Sequence, residues 1–414
     1  MIPALLPVYE RVDIDISHGL GVYLFDTKSN KYLDFSSGYA AVALGHCHPR
    51  MVEALTSQAH KLWHTSNKYK VAGLTKYCKR LTDISFADTV FIANSGAEAV
   101  ECMIKMGRRY FNAKGQLNKY RFITFKGAFH GRTMACISAA GEDKLKGFEP
   151  ALDGFDQVPW HDLDAVKAAI TPNTAGIMIE PIQGEGGMRE CTEEFMQALR
   201  ALCDKHDMLL MLDEVQCGMG RTGYMFAHEM YGVHPDIVAL GKGIGSGFPI
   251  SACLSTEAVG KSMFVGSHGS TFGGNPLAVA IGSTVLDIML EPGFLDNIKK
   301  ISVYLRSKLE ELAAKHPHII ERITGKGLML GIHLKSPYDA EIASKVCVEE
   351  FILSMSASGN VLRITPPLII NQAHCDEAFD KLDKAMKKLS RPGTTLVGKI
   401  HSVVDKLKNK LGLE

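Results

Sequence analysis

Lys242 sits between Gly241 and Gly243, directly after the apolar run Ile237 to Leu240. Four apolar residues in succession read as a short buried strand, and the glycines around the lysine leave it little cover. Taken alone, a lysine between glycines is more often a surface group in a flexible loop. Its chemical alternative is an amine that forms a Schiff base, which needs a desolvated site to lower its pKa. The discriminating neighbour is Asp213, which closes a second apolar run, Met208 to Leu212, 29 residues upstream. A carboxylate at the C-terminal end of a buried parallel strand lies where open α/β sheets bind ligands. An acid and a lysine on two such strand ends match what pyridoxal 5′-phosphate needs. The lysine would hold the aldehyde. The carboxylate would keep the ring nitrogen protonated, so that the ring withdraws electrons.

Other segments must position these two groups. Thr89 to Ala93 reads as a strand, and Asn94-Ser95-Gly96-Ala97-Glu98 opens a helix with Ala99, Cys102, Met103 and Met106 on one face. Ser95 is the expected N-cap. Alone this is an ordinary capped helix. Beside Asp213 and Lys242 it becomes a phosphate seat, built from the free amides of Gly96 and Ala97 and the Ser95 hydroxyl. Gly218-Met219-Gly220-Arg221-Thr222-Gly223 matches G-x-G-x-x-G, and Asp236 stands near where a ribose-binding acid would be. A dinucleotide-binding oxidoreductase is therefore the rival class. That motif has to follow a strand directly and open a helix; here Glu214 to Cys217 intervene, and Thr222-Gly223-Tyr224 is a poor helix start. His46 and His48 have no further ligand cluster, so they read as histidines structuring a loop before a helix, and no metal is expected.

Composition narrows the class further. The 414 residues suffice for two or three domains. Forty-six basic against 45 acidic side chains give a net charge of +1, so no global field favours nucleic acid or an anionic membrane. The ten cysteines are scattered with no C-x-x-C pair, which points to reduced thiols in a cytosol. Met1 to Pro7 is apolar but lacks a basic n-region, a poor signal peptide, and no apolar run approaches the roughly 20 residues of a membrane span.

The run Leu212-Asp213-Glu214-Val215-Gln216 through Gly223, followed by Pro235-Asp236-Ile237 and Gly241-Lys242-Gly243, resembles the class III (ω-amino) aminotransferases. The resemblance extends from about Tyr32 to about Ile370 and is nearest to acetylornithine and ornithine aminotransferases. It implies an α/β fold, the fold-type I pyridoxal-phosphate transferase. A mostly parallel central sheet would form a large domain beside a smaller α+β domain. The expected layout is residues 1–45 in the small domain, 46–290 in the large cofactor domain, 291–390 in the small domain again, and 391–414 as a terminal helical extension. The resemblance also implies roles. Phe129 would stack on the cofactor ring, a π-face on a flat pyridine, and Gln216 would contact the cofactor. Arg132 would grip a substrate carboxylate with its guanidinium fork. Thr271 would reach the cofactor phosphate of the neighbouring subunit, which implies a homodimer with shared sites, and Ser270 beside it would face substrate. Arg363 would bind the carboxylate next to the reacting carbon of glutamate or 2-oxoglutarate, with Glu185 as its partner at rest. A charge between apolar neighbours, as Arg363 is, is costly without such a partner.

The expected reaction is a two-stage amino transfer to 2-oxoglutarate, with Lys242 as the base that moves the proton. N-acetylornithine is the favoured donor, with N-succinyl-diaminopimelate as a second substrate. Phe129-His130-Gly131-Arg132 and Gly184-Glu185-Gly186-Gly187 look like the acetylornithine enzymes, but Tyr39 looks like the ornithine enzymes, where a tyrosine contacts the free α-amine. Ornithine is therefore the second reading and 4-aminobutyrate the third. A cofactor-free regulator on the same fold is disfavoured, because Lys242, Asp213, Arg132 and Arg363 are all present. Among the elements, Gly21 to Asp26 and Lys31 to Phe35 read as a hairpin. Ser36 to Pro49 resembles the family's loop leading into the site. Leu277 to Leu290 and Cys375 to Leu389 read as helices, Gly325 to Leu334 and Val361 to Leu368 as strands. Beyond Arg391, Leu396, Val397, Ile400, Val403, Val404, Leu407 and Leu411 form an apolar stripe at helical spacing, read as a terminal helix docked on its own dimer.

Overall fold

The structure is a computed structural model that describes residues 4–391. The proposed terminal helix falls on residues beyond that range.

The apolar runs of the sequence become the middle of a seven-stranded sheet. Its order is Thr89–Ala93, Ser251–Ser255, Ile237–Leu240, Leu209–Asp213, Thr174–Ile179, Arg121–Phe125 and Phe155–Val158. The last five are mutually parallel, whereas Ser251–Ser255 runs antiparallel to both its neighbours. Every residue of Thr174–Ile179, Leu209–Asp213 and Ile237–Leu240 is buried, as strands covered on both faces must be. The side-chain period of two divides them between two layers. Leu209 and Met211 pack with Ala99, Cys102, Met103 and Met106 of the helix Gly96–Ala113. Leu210 and Leu212 pack with Phe195, Met196 and Leu199 of the helix Glu193–Lys205. A fully buried leucine contributes roughly 1.5–3 kcal/mol, so each central strand is held from both sides. Helix starts follow their caps: side-chain oxygens of Ser95, Thr192, Asn275 and Asn371 each accept from the amide three residues on.

Two smaller sheets flank the large one. Ile16–Leu20, Tyr23–Asp26 and Lys31–Asp34 form an antiparallel meander, and Ile352–Leu353 joins Lys31–Asp34 in parallel. The hairpin at residues 21–35 is thus present, and a strand more than 300 residues away completes its sheet. The other sheet is Ile320–Lys326, Met329–Leu334, Val361–Ile364 and Met355–Ala357, all antiparallel. Here the structure corrects the sequence reading. Gly325 to Leu334 is not one strand but the end of one, a turn at Gly327-Leu328, and the next. Gly327 has φ +59°, and a Cβ there would lie 2.5 Å from the Arg221 carbonyl oxygen. The apolar content of the run masked a turn that glycine makes possible. The expected helices appear as Pro276–Met289 and Gln372–Leu389. Among the described residues no single helix is long and apolar enough to cross a membrane.

The helix Gln372–Leu389 is tied to its neighbour Phe294–Lys315 by one buried acid. Asp383 accepts from His316 Nε2 at 2.7 Å, Lys315 Nζ at 2.9 Å and Lys387 Nζ at 2.7 Å. Burial alone would raise its pKa, but these three partners hold it well below the usual 3.8. A depressed carboxylate pKa stabilises the fold above the unfolded value and loses that contribution as pH falls below it. Asp383→Asn is expected to lower stability at neutral pH by about 1–3 kcal/mol. Thermal melts should show the gap between the two proteins shrinking below pH 3.8.

Candidate active site

The parallel strands end together, and their last residues carry the chemistry. Asp213 is the final residue of Leu209–Asp213, and Lys242 follows Ile237–Leu240, the adjacent strand, by one glycine. Glu180 follows Thr174–Ile179 on the other side, one step past the paired Leu212 and Ile179. Gly241 and Gly96 are what let the capped helix approach. A Cβ on Gly241 would lie 3.2 Å from the Gly96 Cα, and one on Gly96 would lie 2.6 Å from Val215 Cγ1. The helix N-terminus therefore points at the lysine. Lys242 itself has φ +45°, a left-handed backbone that non-glycine residues adopt rarely, and mostly where the surroundings impose it.

Gly96, Ala97, Phe129, His130, Glu180, Glu185, Asp213, Gln216 and Lys242 line one cavity of about 160 Å³. Lys242 is partly open to it, but its amine is deep among protein atoms. Burial foremost, and Arg363 next, bring its pKa down to about 8, against the upward pull of Glu185, Glu180 and Asp213. Asp213 is buried. Its Oδ1 accepts from the Val215 amide at 3.0 Å, and its Oδ2 meets His130 Nδ1 at 2.8 Å. Burial lowers the pKa of the His130 imidazole, but the bond to Asp213 and the charges of Asp213 and Glu180 outweigh it, so the net shift is upward. Glu180 accepts from the Phe129 amide at 2.8 Å. Burial, with Asp213 adding to it and His130 opposing, pushes Glu180 up to about 7.

Beyond the cavity, Arg363 is buried on Val361–Ile364, and its Nη1 donates to Glu185 Oε1 at 2.6 Å. Glu185 lies in the turn between the short paired strands Ile182–Gln183 and Arg189–Glu190. The Arg363 guanidinium carbon lies 5.2 Å from the centre of the Tyr39 ring. Tyr39 is exposed and belongs to a left-handed turn running from Ser37 to Ala40. Arg132 is exposed beside the cavity, 5.4 Å from the Phe129 ring centre, and no carboxylate pairs with it among the described residues. Ser95 caps its helix, but its hydroxyl is committed: it accepts from Glu98 N and donates to Glu98 Oε2 at 3.1 Å. The amides of Gly96 and Ala97, in the first turn, have no intrahelical acceptor. Ser270 Oγ accepts from Asn94 Nδ2 at 3.1 Å and from the Gly273 amide at 3.1 Å, and Thr271 is exposed. Neither lines the cavity within this chain. His46 Nε2 meets Asp34 Oδ2 at 2.8 Å, and His48 takes the N-cap position of Pro49–Ala59. The Gly218–Gly223 loop lies between Leu209–Asp213 and a short 3₁₀ turn, Ala227–Tyr231, so it neither leaves a strand directly nor opens an α-helix.

Two members of the cavity, His130 and Glu180, were given no role in the sequence reading. Glu180 carried the same signal as Asp213, an acid closing a fully apolar strand. His130 carried none, because its contact with Asp213 spans 83 residues.

A lysine with a lowered pKa, an acid locked by a histidine, and a helix N-terminus on one side define an enzyme built around an anionic aldehyde. The chain belongs to the class-III aminotransferases: that family's model matches residues 7–386. It is similar to an acetylornithine aminotransferase of Agrobacterium fabrum, 49% identical over 93% of this chain and 96% of that protein. Its fold matches the solved ornithine aminotransferase of Toxoplasma gondii with TM-score 0.89 and 32% identity, over 93% of each chain. It also matches an N-acetylornithine aminotransferase of Stenotrophomonas maltophilia with TM-score 0.81 and 34% identity, over 92% of this chain and 97% of that one. The protein is thus an aminotransferase that depends on pyridoxal 5′-phosphate. The residues present fit that group. Gln216 Oε1 is buried with no hydrogen-bond partner among the described residues, and Gly96, Ala97 and Phe129 line the cavity.

The lowered pKa of Lys242 can be read directly. In the cofactor-free protein, its condensation rate with a small aldehyde is expected to rise with pH to a plateau with a midpoint of about 8. Arg363→Met should move that midpoint upward, because it removes a cation that opposes protonation. A midpoint at the ordinary 10.5 in both proteins would show that the amine is not desolvated.

Proposed function

We propose that the chain transfers the terminal amino group of N-acetylornithine to 2-oxoglutarate, yielding N-acetylglutamate semialdehyde and glutamate, with N-succinyl-diaminopimelate as a second donor. What carries this reading is the extent of likeness: several proteins named acetylornithine aminotransferase are 47–49% identical over at least 93% of this chain. The geometry supports it through two separate cations. Arg132 stands free at the mouth, suited to a donor's carboxylate, while Arg363 is held by Glu185 until a 2-oxo acid arrives.

When bound, the cofactor supplies a carbonyl to capture the amine and a ring that draws electrons from the reacting carbon. Lys242 would hold that carbonyl, and its neutral amine would be the base placed to move a proton from the donor carbon. Asp213 would pair with the ring nitrogen, and His130 holds the Asp213 carboxylate in place through its 2.8 Å contact. Phe129 covers a ring face, and Gln216 gives the cofactor a side-chain hydrogen bond. The amides of Gly96 and Ala97 would hold the phosphate, with the Ser95 hydroxyl beside them. Thr271 reaches the phosphate of a second copy, and Ser270 beside it faces substrate, so the working unit is a homodimer. In this reading residues 46–290 form the cofactor domain, and residues 1–45 and 291–390 form the small domain. The lack of paired cysteines among the described residues fits a cytoplasmic setting.

Tyr39 favours ornithine as the second reading. Its position over the Arg363 guanidinium puts a phenol beside the clamp, where it can accept a free α-amine. Single-turnover spectra of the bound cofactor separate the two. N-acetylornithine is expected to bleach the band faster than ornithine, on the order of tenfold or more. The reverse order would make the protein an ornithine aminotransferase. Lys242→Ala should remove steady-state turnover while leaving cofactor bound; substantial turnover in that variant would sink the lysine's assignment.

A further inference from the structure

The glycine-rich loop after Asp213 contains a fully buried cation, Arg221, that the chemistry above does not use. Its side chain is 2% exposed. No carboxylate pairs with it among the described residues, and burial alone brings its pKa down to about 9. Its guanidinium donates only to backbone carbonyls. Nη1 reaches Leu328 O at 3.2 Å and also Pro366 O, and Nη2 reaches Ala40 O at 3.5 Å. The main chain of Arg221 joins in, its carbonyl accepting from the Leu328 amide at 2.9 Å. A buried ion without a counter-ion is costly, so the arrangement needs a use.

The three carbonyls belong to three separate segments of the chain. Ala40 ends the left-handed turn that presents Tyr39. Pro366 lies three residues past Arg363, just beyond the end of its strand. Leu328 lies in the turn joining the strands Ile320–Lys326 and Met329–Leu334, the second of which pairs directly with Val361–Ile364. The Tyr39 and Arg363 segments are also knitted together, by the Thr365 amide to Phe35 O at 2.7 Å and by Thr365 Oγ1 to Ser36 O at 3.0 Å. Arg221 joins that pair to the loop leaving Asp213. A lysine could keep the charge, but its single ammonium lacks the planar fork that spans separated acceptors.

We propose that Arg221 is a positioning residue for the 2-oxo acid site, setting Arg363 and the Tyr39 turn at a fixed distance from the Asp213 strand. The proposal rests on the reading of Arg363 as the carboxylate-binding group of the acceptor. It predicts an effect on one substrate. Arg132 and the cavity lining other than Glu185 follow strands of the large sheet, so the amino donor should be little affected. The acceptor's carboxylate meets the clamp, and a clamp displaced by even 1 Å can lose much of its binding.

The test is steady-state kinetics on holoenzyme of Arg221→Met, Arg221→Lys and Arg363→Met, with Asp383→Asn as a control for lost stability. Expected for both Arg221 variants is a rise in KM for 2-oxoglutarate of about tenfold, with KM for the amino donor and kcat moving by less than about threefold. Direct titration of holoenzyme with glutarate, a non-reacting dicarboxylate, should show a parallel rise in Kd. Asp383→Asn should lower Tm and leave both KM values in place. Equal changes in the two KM values, a fall in kcat alone, or wild-type behaviour of Arg221→Lys would overturn the positioning role. If Arg221→Met does not fold, Arg221→Lys carries the test. Arg363→Met separates the two readings. If it leaves the acceptor KM unchanged, the clamp itself is misassigned. If it raises that KM while the Arg221 variants do not, the clamp stands and the proposal fails.

Discussion

A lysine amine has to be kept out of water yet within reach of a substrate, and the arrangement around Lys242 follows from that demand. Full desolvation without charges nearby would leave an amine that no longer takes up a proton; a single close carboxylate would lock it as an ammonium. Here the amine sits among three acids, Asp213, Glu180 and Glu185, and one cation, Arg363, with burial as the largest influence. The balance brings its pKa down to about 8, close enough to neutral pH for a base that must both take and release a proton. The parallel sheet supplies the place: adjacent strand ends open into one crevice, and glycines at 96 and 241 let a helix N-terminus close its side.

The same crevice forces its acids to divide their roles. Asp213 and Glu180 close neighbouring strands and stand side by side. Two buried carboxylates so placed cannot both be ionised at little cost. His130 decides between them by bonding Asp213 directly, while Glu180 has only the Phe129 amide and is pushed up to about 7. One acid is thus fixed by a histidine, and the other is left close to its proton. The third acid, Glu185, escapes the conflict because Arg363 neutralises it. The site keeps its electrostatic order through pairings between distant parts of the chain, not through separation from one another.

The fold and the main reactive pair were legible in the sequence because their signals are local. Apolar runs of strand length, an acid or a lysine at their ends, and a capping serine three residues before Glu98 are all readable within a few residues. The hairpin at residues 21–35 and the helices near 277–290 and 375–389 have the same character. The failure at residues 325–334 also has a local origin, since Gly327 turns the chain inside a run whose composition reads as continuous strand. His130, Glu180 and Arg221 were legible as residues but not as participants.

The sequence by itself determined which segments are strands and helices, where Lys242 and Asp213 stand at strand ends, and the family to which such spacing belongs. Only the tertiary structure decided that His130 locks Asp213, that Glu185 closes on Arg363, that Tyr39 lies against the same guanidinium, and that Arg221 pins three loops with no anion of its own. Burial and alternation act on neighbours in the chain and leave a periodic trace. Ion pairs and carbonyl clips join residues 83 to 181 positions apart. Their partners are chosen by how strands are ordered in the sheets, which no local pattern encodes.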